Sequence, residues 1–361
     1  MAAATIETNG ALKRAEFRGN AGEYFGIWIV NILLTIVTFG IYSGWAKVRR
    51  MRYFRGNTFL DGYSFDYHAR GLQIFLGRAI VFIIIAMVNV VTNAVPVAGA
   101  ITPFVFAAVL PFFIVRSLRF NARVTSYRNV RFDFTGNKWD AFKSIILGGV
   151  ISVLTLGILA PLASRWASRY IFNHLHYGDR PFSTDPQLGS LYKALIPPAV
   201  IFLIGLVIMG FVGWLVAYPM LNGFLERTND RSGREAMIFA ILAIYGVLLP
   251  LLVVYAFARM IYHIAVRNVV VNAMLFDGRH RMKSDLRRLT YVWIWLSNTV
   301  VTLLTLGLMR PWAAVREQRY MLTHTGIIPQ GEIGDVVGAI QASGSAIGSE
   351  YMDLEGFDFG F

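Results

Sequence analysis

"NILLTIVTFGIYSGWAKVRRMRY" (residues 31–53) starts like a transmembrane helix and ends in a cluster of cations. Gly40 interrupts the apolar run, with Thr35 and Thr38 just before it and Trp45 after it. A helix that continued through Gly40 would cross a membrane, whereas a break there would return the chain to the side from which it came. The choice between these two paths decides the fold, because the stretch recurs along the chain.

Composition predicts an integral membrane protein. The 361-residue chain is 56% hydrophobic and only 15% charged, whereas an average soluble domain has about 25% charged residues. Several charge-free stretches reach the roughly 20 residues that span a bilayer. The lack of cysteine excludes disulfides and Cys-ligated metals. The net charge of +13 favours anionic lipid headgroups over nucleic acid as the partner, because basic residues commonly flank membrane spans.

Two later segments repeat the opening stretch. They are "VISVLTLGILAPLASRWASRY" (150–170) and "NTVVTLLTLGLMRPWAAVREQRY" (298–320). In each copy a Thr-x-Gly triplet precedes a basic segment that ends in Arg-Tyr, and the triplets begin at Thr38, Thr155 and Thr305. The middle copy departs from the pattern, with Leu162 at the position of the Trp and Trp166 at the position of an Arg. Internal repeats of this kind indicate one module used three times.

The longer motifs resemble a known family. "FRGNAGEYFGIWIVNILLTIVTFGIYSGWAKVRRMRYFRGNTFLDGYSFDYHARG" is similar to the opening of the YjgN family, a bacterial domain of unknown function (DUF898). "RFDFTGNKWDAF", "LAPLASRWASRYIFNHLHYGDRPF" and "LMRPWAAVREQRYMLTHT" also resemble that family. The resemblance covers almost the whole chain and implies a bacterial inner-membrane protein. It brings no established activity, so no site residue is carried over from it.

Charge counts favour the returning path. If each repeat segment crossed once, giving seven transmembrane helices, Lys and Arg would divide 14 to 19 between the two sides. If each segment turns back instead, only four helices cross, and 30 Lys and Arg lie on one side against 3 on the other. Because cytoplasmic loops are enriched in Lys and Arg, we predict the re-entrant arrangement and keep seven transmembrane helices as the alternative.

The predicted fold is an all-α polytopic membrane protein with internal repeats, four crossing helices, three re-entrant broken helices and short cytoplasmic β-hairpins. The hairpins are expected because polar pieces at 57–69, 129–137 and 269–282 alternate like strands, and two of them contain Asp-Gly turns. The predicted units are 1–133 (broken helix 24–54, hairpin 57–69, helices 72–94 and 98–115), 134–283 (broken helix 139–172, helices 194–222 and 236–260), 284–322 (third broken helix) and 323–361 (flexible acidic tail).

Aligned cations give the first candidate site. Trp45, Arg49 and Arg52 fall on one helical face. The third copy repeats this spacing, and the middle copy keeps one of the arginines; these residues are Trp312, Arg316, Arg319 and Arg169. Guanidinium groups grip phosphate or carboxylate, and Trp favours the headgroup level, so the pattern predicts an anion or lipid-headgroup site. The alternative is interfacial anchoring or ion pairing inside the protein.

Polar residues inside the apolar segments give the second candidate site. Asn31 and Asn298 align, as do Thr38 and Thr305. They predict either a polar pathway or hydrogen bonds between helices, and the Thr hydroxyls are expected to satisfy backbone carbonyls at the turn. No metal site, cofactor or catalytic constellation is expected, since the chain has no HExxH, P-loop or nucleophile-elbow pattern.

Two functions remain open at this point. One is transport or permeation of a small amphiphile, anion or lipid, and the other is a non-catalytic scaffold that binds anionic lipid and partner proteins. The expected location is the bacterial inner membrane, in multiple passes, with the basic loops and both termini in the cytoplasm. A protein partner or an oligomer is compatible with either function.

Overall fold

The computed structural model describes residues 10–226 and 233–342. The chain divides into two compact units. One unit comprises Met1–Leu188 and Asn268–Phe361, and the other comprises Gly189–Arg267.

The first unit contains a curled antiparallel sheet. Its strands are β1 (Lys13–Arg14), β2 (Glu16–Phe17), β3 (Thr58–Leu60), β4 (Tyr63–Tyr67), β5 (Thr125–Tyr127), β6 (Val130–Phe134), β7 (Leu175–Tyr177), β8 (Arg180–Thr184), β9 (Met274–Phe276), β10 (His280–Ser284) and β11 (Thr325–Ile328). They pair in the order β1-β11-β10-β9-β8-β7-β6-β5-β4-β3-β2. Only Ala15 separates β1 from β2, and its N–H donates to the Thr325 carbonyl at 2.9 Å. The sheet is therefore a nearly closed, barrel-like ring.

Pairs of helices interrupt this ring at regular intervals. Four of the pairs are α1 (Ala21–Val37) with α2 (Ser43–Gly56), α3 (Gly71–Ala94) with α4 (Pro96–Arg123), α8 (Leu188–Glu226) with α9 (Gly233–Asn272), and α10 (Arg288–Leu304) with α11 (Arg310–Thr323). In the other pair the first limb is divided into α5 (Lys138–Ala141), a π-helical segment (Phe142–Leu147) and α6 (Gly148–Leu154), and the second limb is α7 (Ala160–Asn173). Each pair connects two neighbouring antiparallel strands. Such strands meet at one edge, so every helical pair starts and ends at the same rim of the ring.

The prediction of an all-α protein is wrong, because the eleven strands form one continuous sheet. The predicted pieces 57–69, 129–137 and 269–282 do contain strands, but they were expected to stay separate hairpins. Adjacent hairpins pair with each other; Phe65, for example, lies opposite Tyr127. Strands of two to five residues between long helices carry little sequence signal, and pairing across a helical hairpin is not a local property.

The asparagine of the "FRGN" and "FTGN" motifs starts a helix. Asn20 accepts a hydrogen bond from the Glu23 N–H at 2.8 Å, and Asn137 accepts one from the Asp140 N–H at 2.8 Å. This is the preferred way to satisfy a free N–H in the first helical turn. The acidic residues also suit the positive end of the helix dipole.

Four helical segments within the described residues are long and apolar enough to cross a membrane. They are Gly71–Ala94, Ala98–Arg123, Leu188–Leu215 and Ile244–Asn272. By length and composition, the structure therefore has four candidate spans, the same number as the crossing helices predicted from the sequence. The alternative of seven straight spans does not fit, because the chain reverses inside each of the three repeat segments, for example between Val37 and Ser43.

The re-entrant path predicts two outer loops, at residues 95–97 and 226–235. The loop at 95–97 reduces to Val95, the one residue between α3 and α4. Most of the loop at 226–235 lies outside the described residues. The predicted unit boundaries at 133/134 and 283/284 fall inside β6 and β10, so the repeating element in the structure is shorter: one strand, a helical pair and the next strand.

A short C-terminal helix, α12 (Ile333–Ala342), closes the core of the ring. Its apolar residues form one cluster with buried residues of five strands; the cluster comprises Tyr127, Val130, Tyr177, Phe276, Ile327, Ile333, Val336, Val337 and Ile340. Residues 325–342, which the sequence placed in a flexible tail, thus form a strand and a buried helix. The remainder of that tail, 343–361, lies outside the described residues.

Candidate functional site

Three five-residue turns of the same geometry reverse the repeat segments. They span 38–42, 155–159 and 305–309. The second turn residue has a φ of about 50° and the following Gly a φ of 86–91°, both in the left-handed region; these pairs are Phe39-Gly40, Leu156-Gly157 and Leu306-Gly307. The Gly N–H donates at 2.7 Å to a carbonyl five residues earlier in each copy. Glycine is needed here because its φ is unfavourable for residues with a Cβ.

The threonine that opens each turn links its two helices. The Thr38 hydroxyl donates to the Leu34 carbonyl at 2.7 Å and accepts from the Tyr42 N–H at 2.9 Å. Thr305 makes the same two bonds, to the Val301 carbonyl at 2.7 Å and from the Met309 N–H at 3.2 Å. The hydroxyl therefore satisfies one free carbonyl and one free N–H at the helix ends. The expected backbone role of these threonines is what the structure shows.

The spacing of Gly40 and Gly44 predicts that the two glycines form the turn together, but Gly44 lies outside turn 38–42. It lies in the first turn of α2, where an added Cβ would approach the Gly71 carbonyl oxygen to 2.6 Å. The corresponding Pro161 and Pro311 are fully buried at the starts of α7 and α11. At this position the helix therefore packs closely against another element, and the residue is not part of the break between the two helices.

The tips of the three turns are apolar and exposed. Phe39, Leu156 and Leu306 are 98%, 94% and 95% exposed. Their neighbours along each turn are also large, apolar and exposed; they include Ile36, Val37, Ile41, Val153, Leu154, Ile158, Leu303, Leu304 and Leu308. Contiguous apolar surface of this kind marks an interaction site in a folded protein.

The two aligned asparagines connect the limbs of their hairpins. Asn31 donates to the Ala46 carbonyl at 3.4 Å, and Asn298 donates to the Ala313 carbonyl at 3.1 Å. Both are 7% exposed. Asn298 also accepts from Arg316, whereas the side-chain oxygen of Asn31 has no hydrogen-bond partner among the described residues. Both asparagines act between helices in this structure.

The first predicted cation face separates into three environments. Trp45 lies against α3, with its ring 6.0 Å from that of Phe75. Arg49 is exposed and donates to the Tyr42 hydroxyl at 3.3 Å. Arg52 donates to the main-chain carbonyls of Tyr67 and Ala69, at 3.3 and 3.4 Å. These three side chains do not converge on one ligand.

In the middle copy, Arg169 pairs with a carboxylate. Its Nε atom lies 3.6 Å from the Asp185 carboxylate, and Arg165 reaches the same oxygen at 2.9 Å. Arg165 and Arg169 therefore share one carboxylate of the protein.

The third copy brings its predicted residues together. Trp312, Arg316 and Arg319 line a cavity of about 550 Å³, which we call the seam cavity. The other side of the cavity is formed by Asn20 and Ala21, at the start of α1. The seam cavity thus lies where the last repeat meets the first.

Two hydrogen-bond sets orient the arginines of the seam cavity. Arg316 donates through Nη1 to the Ser297 hydroxyl at 2.7 Å and to the Asn298 side chain at 3.1 Å. Its guanidinium carbon lies 5.1 Å from the centre of the Trp312 ring, within cation–π range. Arg319 donates through Nη2 to the Gly19 carbonyl at 3.0 Å.

Sequence reasoning missed the role of the paired Arg and Tyr at the end of each repeat. The Tyr hydroxyl donates to a carbonyl at the start of its own hairpin; the pairs are Tyr53–Asn20 (2.8 Å), Tyr170–Asn137 (2.9 Å) and Tyr320–Arg287 (3.2 Å). Burial raises the pKa of Tyr53 and of Tyr170 to about 12, so the phenols stay protonated donors. The constant spacing of 33 residues is the signal that would have revealed these bonds.

Within the described residues, no cluster of three or more His, Asp or Glu is arranged to hold a metal ion. The side chains that line the seam cavity include two cations and an aromatic ring, which suits recognition of an anion.

Comparison with known proteins gives the family context. A family model described as a bacterial protein of unknown function (DUF898) matches residues 13–354. "Inner membrane protein YjgN" of Salmonella typhimurium is 26% identical over 356 residues, which cover 88% of this chain and 88% of that protein. The protein of the same name from Escherichia coli K12 is 24% identical over 342 residues, covering 82% and 83%. No solved structure matches the chain significantly.

Proposed function

Since the chain belongs to the DUF898 family of bacterial proteins, with relatives named as inner-membrane proteins, we propose that it is a non-catalytic scaffold of the bacterial inner membrane. In this proposal the four long helices cross the bilayer. The three short hairpins insert their tips into the cytoplasmic leaflet and return, and the ring of strands lies in the cytoplasm.

The exposed apolar tips carry the proposal. A non-glycine residue in the left-handed region costs about 1 kcal/mol, so a water-exposed turn would favour Gly, Asn or Asp there. All three turns instead place a large apolar side chain at this position: Phe39, Leu156 and Leu306. Transfer of these side chains into lipid would offset the cost by about 1.5–3 kcal/mol each.

Hairpin length supports insertion that does not cross the bilayer. The 17 residues of α1 and of α10 make helices of about 26 Å, and each helix begins a few residues after a strand of the ring, β2 or β10. The hydrocarbon core of a bilayer is about 30 Å thick. A hairpin of this length, fixed at the ring rim, reaches into the core without crossing it.

The returning limbs carry the charge expected at a cytoplasmic surface. In α2 the basic residues are Lys47, Arg49, Arg50, Arg52 and Arg55, and in α11 they are Arg310, Arg316 and Arg319. Each Lys or Arg near an anionic surface contributes about 1 kcal/mol of attraction. The positive-inside rule places these residues on the cytoplasmic side.

Transport through the ring is the less favoured function. The interior of the ring is occupied by α12, with Ile340 fully buried among residues of the strands. A path along the ring axis would require removal of this apolar core. A scaffold function requires no such opening.

Depth measurements with single cysteines test the proposal, and the cysteine-free chain makes them clean. Phe39→Cys, Leu156→Cys and Leu306→Cys would each be labelled with a fluorophore, in nanodiscs that contain lipids brominated along the acyl chain. The matched control is Tyr63→Cys, an exposed aromatic position at the opposite edge of the ring. We expect strong quenching at the three tips and none at the control.

A second measurement tests the side of the membrane. An impermeant maleimide should react with Tyr63→Cys in inside-out vesicles but not from the periplasmic side. Tip cysteines that reacted freely with this reagent, and that brominated lipid did not quench, would refute leaflet insertion.

A further inference from the structure

Resting on the leaflet insertion proposed above, we infer that the seam cavity binds one phosphate-ester anion, presented by the headgroup of an anionic membrane lipid. This assigns a stoichiometric ligand site to one position of the ring, distinct from diffuse attraction between basic limbs and lipid.

Unpaired positive charge is the first argument. Arg316 and Arg319 line the same cavity, and neither forms an ion pair with a carboxylate among the described residues. By contrast, Arg14 is paired with Asp285 at 2.6 Å. Two like charges beside one cavity favour an anion between them.

The nearby carboxylates are engaged elsewhere. Glu317, on the same helix as both arginines, accepts a hydrogen bond from the Tyr291 hydroxyl. Glu23, on α1, lies 3.1 Å from the Tyr53 hydroxyl, whose single proton is shared between Glu23 and the Asn20 carbonyl. An anion at the arginines therefore does not have to displace an internal partner.

The arginines retain donors for a ligand. A guanidinium has five N–H groups. Arg316 uses those of Nη1 for Ser297 and Asn298, and Arg319 uses Nη2 for the Gly19 carbonyl. The remaining N–H groups can form the paired bonds to phosphate oxygens that make arginine a preferred phosphate ligand. The protein contacts fix the guanidinium planes beforehand, which lowers the entropic cost of binding.

The order of residues along α11 favours a lipid-borne phosphate. Of the three aligned residues Trp312 lies nearest the apolar turn 305–309, two positions after Arg310, and Arg316 and Arg319 follow toward the ring. At about 1.5 Å per residue, Trp312 and Arg319 are separated by about 10 Å along the axis. An amphiphile would place its phosphate at the arginines, its glycerol near the tryptophan and its acyl chains beside the inserted tip.

The first copy offers a useful contrast. Arg52, at the position of Arg319, donates to two main-chain carbonyls, whereas Arg319 donates to one. Arg49, at the position of Arg316, bonds only to the Tyr42 hydroxyl of its own hairpin. The seam cavity therefore combines Arg316, which the protein holds in place, with Arg319, which keeps unused N–H groups.

Native mass spectrometry of the purified full-length chain tests the inference. Phosphatidylglycerol or phosphatidylcholine would be titrated into the detergent-solubilised protein, with and without excess inorganic phosphate. We expect one tightly retained phosphatidylglycerol, bound in preference to phosphatidylcholine. Arg316→Gln and Arg319→Gln should each weaken its retention about tenfold, the value for a charge-assisted hydrogen-bond set.

Controls separate binding from folding and from net charge. Arg281→Gln removes the same charge from an exposed position of β10, and we expect unchanged retention. Arg316→Lys keeps the positive charge but lacks the planar guanidinium with its paired donors, so it should give an intermediate loss of lipid retention. Equal thermal midpoints of the variants and the parent protein would show that the loss is local.

The outcomes identify the source of the phosphate. If inorganic phosphate leaves phosphatidylglycerol in place, the site takes the lipid-borne group; if it displaces the lipid, a soluble phosphate shares the same chemistry. Equal retention in Arg316→Gln, Arg319→Gln and the parent protein, or equal retention of the two lipids, would overturn the inference. Fluorescence quenching at the turn tips should also be measured in Arg316→Gln. Leaflet insertion does not depend on the seam cavity, so this measurement distinguishes failure of the lipid site from failure of leaflet insertion.

Discussion

A buried histidine ties the C-terminal helix to the ring. His280 is 1% exposed, and its Nδ1 atom accepts a hydrogen bond from the main-chain N–H of Gln330, in the loop before α12. Accepting this bond requires Nδ1 without a proton. Burial lowers the pKa of His280 below its ordinary value; the neighbouring Arg279 lowers it further, and Asp277 opposes them.

The stability of the ring should consequently depend on pH. As the pH falls through 6.5, the ordinary pKa of histidine, the unfolded chain takes up a proton that the folded chain resists, and stability is lost. His280→Asn keeps an acceptor but cannot titrate, so we expect a smaller fall in thermal midpoint between about pH 7.5 and about pH 5.5. The parent protein, measured in the same buffers, is the reference. An equally steep fall in His280→Asn would exclude His280 as the source.

At the scale of elements, α2 and α3 approach each other through two glycines. A Cβ on Gly44 would lie 2.6 Å from the Gly71 carbonyl oxygen and 3.0 Å from the Phe75 nitrogen, both main-chain atoms that cannot rotate away. A Cβ on Gly71 would lie 2.4 Å from the Trp45 ring. The close approach fixes the angle between the short hairpin of α1 and α2 and the long hairpin of α3 and α4.

Gly44→Ala should therefore destabilise the protein by about 1–3 kcal/mol, the usual cost of overpacking. The matched control is Gly56→Ala in the same helix, where an added Cβ meets no other atom within 4 Å. This control should be neutral or stabilising by about 0.4–1 kcal/mol, through the unfolded state. Thermal unfolding in detergent measures both, and equal midpoints would show that α2 and α3 can separate without cost.

The sequence predicts helices better than strands for a physical reason. Apolar runs and the Thr-x-Gly triplet are local signals, so the four long helices and the three reversals could be inferred. Asp61-Gly62 and Asp277-Gly278 likewise indicate local turns. The strand at residues 13–17 has no such signal, because its partners are β3 and β11, far away in the chain.

The seam cavity could be predicted only in part, for the same reason. The matching spacing of Trp312, Arg316 and Arg319 identifies one wall of it. Its other wall, Asn20 and Ala21, comes from the opposite end of the sequence, about 300 residues earlier. The equivalent side chains of the first copy have different surroundings, so the spacing alone does not distinguish the copies.

On the scale of the whole molecule, α12 stabilises the ring by filling its interior. Ile340 is fully buried, and an added Cβ on Gly178 would approach its side chain to 2.5 Å. Ten residues that include two glycines make a poor helix in isolation. Packing against the strands is what stabilises this helix.

Ile340→Asp should therefore expose the interior of the ring. Burial of an unpaired carboxylate costs several kcal/mol, so we expect α12 to leave the ring, the thermal midpoint to fall, and hydrogen exchange of residues 333–342 to accelerate. Ala342→Asp places the same charge at an exposed position of α12 and should change little. Slow exchange in Ile340→Asp would show that the ring interior tolerates a charge.

Closure of the ring at Ala15 also constrains the order of biosynthesis. The strand at residues 13–17 leaves the ribosome first, yet one of its edges has no partner until residues 325–328 have been made. An unpaired strand edge is a template for association with other chains. Throughout translation, the nascent chain must therefore hold an open sheet, and a chain that stops before residue 325 cannot complete it. Truncated products should consequently be recognised by quality-control proteases as incomplete, however well their helices have inserted.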